Sequence, residues 1–115
     1  MVNLVNAASS YALIRRFTTT ADDEIRLSSA RYPLAYKNTN RLVRAGQWDI
    51  ALSKTGFINE AGHCLVMLAS VAQRQVVMVF LDAPGKLTPL GDANRFNTWL
   101  AASGSSGQRL ATIHQ

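Results

Sequence analysis

Cysteine is nearly absent. Cys64 is the one thiol in 115 residues, which excludes an internal disulfide. With two histidines in the whole chain, no CxxC or HxxxH spacing offers a metal site. Cys64 lies in "HCLVML", the setting of a small buried apolar residue. His63 is its neighbour in sequence and points to the opposite face of a strand, so no thiol–imidazole pair is built there. Long apolar runs are also missing: none approaches the roughly 20 residues that span a bilayer. "MVNLVNAASSYALIRRF" lacks the basic start, apolar stretch and small-residue cleavage site of a secretory signal, so no signal peptide is read in this chain. Acidic residues are few, seven against twelve Lys and Arg, for a net charge of +5. That excess permits an anionic partner. The cations are scattered, with only Arg15-Arg16 adjacent and no Arg/aromatic interleaving, so nucleic acid is not expected.

What is present suits one globular domain. The chain is 48% apolar and only 17% charged, enough to build a core and unlike a disordered composition. Apolar spacing predicts a helix over residues 3–17, with a break near Ser9-Ser10. "TTTADDEI" reads as a short strand or as a helix start capped by Thr20. Residues 32–36 lean toward a strand, and "KNTN" and "RAGQ" read as turns around 41–44. Trp48, Ile50 and Leu52 alternate as one face of a strand. "HCLVMLASV" and "QVVMVFLDA" are continuously apolar, as strands covered on both faces are, and "AQR" joins them as a hairpin. Asp82-Ala83-Pro84-Gly85 ends the last strand in a turn. "GDANRFNTWLAAS" predicts a helix with Asp92 near its start and Phe96, Trp99 and Leu100 along one face. The expected fold class is α+β, three antiparallel strands of an incomplete sheet with flanking helices. Residues 1–102 form the domain and 103–115, rich in Gly and Ser, a flexible tail.

Chemistry concentrates in "LSKTGFINEAGHCLVML", where Lys54, Thr55 and Gly56 end a strand. An ammonium beside a hydroxyl on a strand can hold a carboxylate, with charge-assisted hydrogen bonds of roughly 1.5–3 kcal/mol each. Glycine next in line admits a ligand close to the backbone. The amide of Phe57 can then face a developing oxyanion, and losing one such donor typically costs about 10²–10³ in rate. A bare strand end with a solvated lysine explains the same three letters. His63, Asp82, Trp48 and Trp99 read as structural residues.

Lys-Thr-Gly on a strand is one of three motifs of the serine penicillin-recognising enzymes. "KNTNRLV", "WDIALSKTGFINEAGHCLVM", "VVMVFLDAPGK" and a closing Arg-x-x-x-Trp-Leu helix resemble, in order and spacing, the C-terminal part of a low-molecular-mass penicillin-binding protein. The similarity covers residues 7 to 101 and is to the D-alanyl-D-alanine endopeptidases and carboxypeptidases; Phe57, where carboxypeptidases often carry histidine, leans toward the former. The resemblance implies a partial β-lactamase-like fold, no metal or cofactor, a periplasmic location, and peptidoglycan peptides and β-lactams as partners of the full-length protein. By that resemblance Lys54 anchors substrate at the groove, Thr55 binds its terminal carboxylate, Gly56 makes room, and the Phe57 N–H is half of the oxyanion hole. Lys86 falls where the family can place a basic residue near the groove, and Asn38 and Asn40 are turn-forming.

The departures matter as much. No serine has a lysine three positions later, and Ser-x-Asn is absent, so no nucleophile stands in this chain. Acyl transfer needs nucleophile, base and oxyanion hole together, so the chain alone is expected to be inactive. In the family two N-terminal strands complete the sheet. Without them "QVVMVFLDA" is an uncovered apolar edge that invites self-association. The alternatives are a non-catalytic peptide- or muropeptide-binding module and an inactive gene remnant.

Overall fold

The computed structural model describes residues 1–29, 31–103 and 111–114. The expected N-terminal helix is two: α1 (Val2–Ser9) and α2 (Ala12–Thr19), separated where Tyr11 takes an extended backbone. The Thr-rich stretch resolves to a strand, β1 (Asp22–Ile25), paired antiparallel with β2 (Leu34–Lys37) in a two-stranded sheet of its own. The residues between the predicted turns form a short helix, α3 (Arg41–Ala45). Asn40 caps it, its side chain accepting from the Leu42 N–H, and Gly46 ends it in the left-handed conformation at φ 66°.

The main sheet comprises β3 (Asp49–Ile58), β4 (Gly62–Val71) and β5 (Arg74–Ala83), antiparallel in sequence order. The fold is thus α+β, with the three antiparallel strands that the apolar pattern predicts. Ala72 and Gln73 make the β4–β5 turn, both with positive φ, as a two-residue hairpin turn matched to strand twist requires. After the turn at Pro84-Gly85 comes α4 (Thr88–Ser103), which starts early enough to put Asp92 in its second turn. Trp99 on this helix is 61% exposed, so Phe96 and Leu100 do the packing and Trp99 stands outside the core.

Each face of the sheet carries its own core, as continuously apolar strands demand. On the α4 side Leu65, Met67, Met78 and Phe80 are buried with Ala93, and Trp48 and Ile50 pack against them. On the other side Val5 of α1 meets Leu52, Leu68, Val77 and Val79. Leu52 therefore lies opposite to Trp48 and Ile50, against the simple alternation expected for "WDIALSKT". A β-bulge between Ile50 and Leu52 inserts one residue, and a one-residue slip turns every later side chain to the other face.

The tail does more than end the chain. Residues 111–114 form β6 (Ala111–His114), parallel to β5 along Met78–Leu81. The sheet is then four-stranded, and the β5 edge that the sequence leaves uncovered is paired over those four residues. Unpaired backbone groups on an apolar edge favour any strand that can satisfy them. Residues 104–110 and 115 lie outside the described residues. Among the described residues no helix is long and apolar enough to cross a membrane.

Candidate functional site

β3 lies at the edge of the main sheet, with β4 on one side only. α2 packs beside it, and the Ser53 N–H donates to Thr18 Oγ1 at 3.3 Å, away from β4. In a regular strand, backbone groups at i and i+2 point the same way. The β3–β4 register is unbroken from Leu52 to Ile58, so the N–H groups of Thr55 and Phe57 also face the free edge. The Lys54 Nζ donates to the Thr55 carbonyl, which faces the same edge. Among the described residues no strand pairs with β3 on that side, so beyond α2 the Phe57 amide stands on an open edge.

The segment Asn38-Thr39-Asn40 fastens this edge. The Asn38 side-chain amide donates to the carbonyls of Thr18 and Thr20 at 2.9 and 3.0 Å, tying the end of α2 to β2. Its Oδ1 accepts from the Asn40 N–H. Asn40 is fully buried: its Oδ1 caps α3 and its Nδ2 donates to Ser53 Oγ at 2.8 Å. Between these anchors Thr39 presents its hydroxyl to that of Thr55, 2.6 Å away. Asn38 and Asn40 are structural, as their turn character suggests, and what they build is the placement of Thr39.

Thr55, Gly56 and Phe57 line a cavity of about 510 Å³. Lys86, from the loop before α4, reaches the same cavity from another wall. Lys54 does not line it: alternation on β3 turns it to the opposite side of the sheet from Thr55, where it is exposed. The motif is split, with the hydroxyl in the cavity and the ammonium outside. A Cβ built on Gly56 meets nothing within 4 Å, so no contact among the described residues calls for glycine there. Gly62 is the reverse case. Its φ of +63° and the Asp82 backbone 3.0 Å from a Cβ both exclude a side chain.

Phe57 stacks on His63 across the β3–β4 ladder, ring centroids 4.3 Å apart, forming the cavity rim. Cys64 is half-buried, its thiol donating to the Ala61 carbonyl at 3.3 Å. Sequence reasoning overlooked Thr39, Lys37, Arg41 and Arg44, all of which line the cavity. The spacing of Arg41 and Arg44, three apart and so on one side of a helix turn, was the available signal. Among the described residues no cluster of His, Cys, Asp and Glu could hold a metal ion.

Residues 1–85 match the family described as D-alanyl-D-alanine carboxypeptidase. The chain belongs to that family. Over 100 residues it is 43% identical to a D-alanyl-D-alanine endopeptidase of Escherichia coli (strain K12). It is 41% identical to one of Pseudomonas aeruginosa. Each match covers 87% of this chain and 32% of the relative. The chain thus spans about a third of the length of these curated relatives. As a member of the D-alanyl-D-alanine carboxypeptidase family, it carries the Lys-Thr-Gly strand at an open sheet edge and no Ser-x-x-Lys in its own sequence.

Proposed function

We propose that this chain supplies the substrate-binding edge of a periplasmic serine-type D-alanyl-D-alanine endopeptidase acting on peptidoglycan peptides and acylated by β-lactams. Residues 1–102 are read as the C-terminal portion of its peptidase domain. The observation that carries the reading is the free edge of β3. A hydroxyl, an unobstructed glycine and an outward N–H follow one another there, beside a cavity that holds Lys86. The two endopeptidase relatives support the choice of reaction over carboxypeptidase.

In this reading an extended peptide lies along β3 as an added strand. The Thr55 hydroxyl donates to the substrate's terminal carboxylate. Its hydrogen bond with Thr39 holds it at the cavity wall. Gly56 lets the peptide backbone approach. The Phe57 N–H donates to the carbonyl oxygen as it becomes an oxyanion, in a geometry set before the reaction and therefore without reorganisation cost. Lys54 contributes positive charge from outside the cavity and steadies the strand through the Thr55 carbonyl. Serine nucleophile and lysine base come from sequence other than these 115 residues, so the chain alone cleaves nothing.

The test is a chimera in which this chain replaces the corresponding third of the Escherichia coli endopeptidase. Acylation by a fluorescent penicillin and cleavage of a D-Ala-D-Ala-containing peptide are followed. Thr55→Val is expected to lower kcat/KM about tenfold to a hundredfold, the equivalent of one charge-assisted hydrogen bond. An unchanged rate of acylation and cleavage would remove Thr55 from the site.

A further inference from the structure

The cavity beside β3 is more cationic than one carboxylate requires. Lys37, Arg41, Arg44 and Lys86 line it, from β2, α3 and the loop before α4, and among the described residues no Asp or Glu does. These are four of the chain's twelve lysines and arginines, gathered from distant parts of a sequence in which they look scattered. The described ion pair in the chain, Arg95 with Asp92, lies elsewhere on α4. Lys37 has Asp22 opposite it in the β1–β2 ladder, so its charge is partly countered. Asp22 also shares a smaller cavity with Lys37 and Arg44, whereas among the described residues no carboxylate lines the main cavity beside Arg41 and Lys86. Arg44 spends one N–H on the Asn38 carbonyl at 3.0 Å, which orients its guanidinium without neutralising it.

Like charges gathered around one cavity repel one another, and an anion between them relieves that cost. A carboxylate bound at Thr55 occupies the β3 wall, while Arg41, Arg44 and Lys86 come from α3 and the loop before α4. We propose that the cavity is a second anion subsite: the ligand carries a further carboxylate, distinct from the one at Thr55, held by Arg41, Arg44 and Lys86. The ligand class is then an extended peptide with at least two acidic groups. This inference rests on the reading of β3 as the peptide-binding edge and adds to it a preference for ligand charge. Guanidinium groups suit the role because their planar donors match a carboxylate in two-point contact.

Two peptides differing by one charge test it on the 115-residue chain: acetyl-Glu-Ala-D-Ala-D-Ala and acetyl-Gln-Ala-D-Ala-D-Ala. Affinities are measured by calorimetric titration at low salt. The Glu peptide is expected to bind about tenfold more tightly, as one charge-assisted contact would give. In the exposed double variant Arg41→Gln/Lys86→Gln that ratio is expected to fall to about one. In Thr55→Val both peptides weaken and the ratio persists. Equal binding of the two peptides by the unaltered chain, or a ratio that survives the double variant, overturns the subsite. The proposed role of β3 is untouched by that result if Thr55→Val still weakens both. Conversely, a persistent Glu preference with no effect of Thr55→Val leaves the subsite standing and sinks the reading of Thr55. Binding of neither peptide at millimolar concentration overturns both.

Discussion

The two halves of this chain use similar apolar content in opposite ways. Along β5 the five residues from Val76 to Phe80 are all buried, covered by α4 on one face and α1 on the other. Between Tyr11 and Lys37 almost nothing is: α2 has no buried residue, and β1 and β2 are exposed throughout. Phe17, Ile25, Tyr32 and Tyr36 stand in solvent there. Apolar residues alone do not make a core; it takes a second layer to bury them against. The β4–β5 hairpin has two such layers. The β1–β2 hairpin is held by its own ladder and by Asn38, and a lone two-stranded sheet is marginal in water.

Substitutions sharpen the contrast. The largest effect belongs to Phe80→Ala, which empties a site 1% exposed at the centre of the sheet. The expected loss is about 3–5 kcal/mol, read as a shift in the urea midpoint. That is much of a small domain's stability, so a loss below about 1 kcal/mol would dissolve the distinction between the halves. Asn40→Ala comes next. It removes the α3 cap and strands Ser53 Oγ in a buried place, at an expected cost of about 2–3 kcal/mol. Hydrogen exchange should quicken at Leu42, whose N–H loses its acceptor, while β5 amides stay protected. Smallest is Tyr36→Ala in β2, expected to stay within about 0.5 kcal/mol. A cost above about 1 kcal/mol would show that the exposed hairpin shares the core's cooperativity.

Legibility in the sequence followed the same division. β4, β5 and their turn were readable because unbroken apolar runs with a short polar gap have few other solutions. Lys54, Thr55 and Gly56 were readable as a motif on a strand, but β3 runs past the expected end at Gly56 to Ile58, because Phe57 and Ile58 still pair with His63 and Gly62. The α1–α2 break was readable near its true position. The β1 stretch stayed ambiguous because four exposed residues carry no apolar period. Leu52 was assigned to the wrong face because a bulge is a property of strand pairing, and alternation counts residues of one strand only. Trp99 was placed in packing because its helical spacing suits the apolar stripe. In the fold it lies at that stripe's exposed margin, tilted against Phe96 at 5.6 Å.

By itself the sequence determined that this is an α+β chain with three consecutive antiparallel strands. It also determined that Lys-Thr-Gly sits on the first of them and that no nucleophile motif accompanies it. Those are statements about neighbours along the chain, where spacing and side-chain chemistry suffice. Only the tertiary structure decided that Thr55 and Lys54 face opposite ways into different surroundings. It alone set Thr39 against Thr55 and drew Arg41, Arg44 and Lys86 around one cavity. Thr39 and Thr55, or Arg41 and Lys86, are far apart along the chain and come together only when the sheet, α3 and the α4 loop have packed.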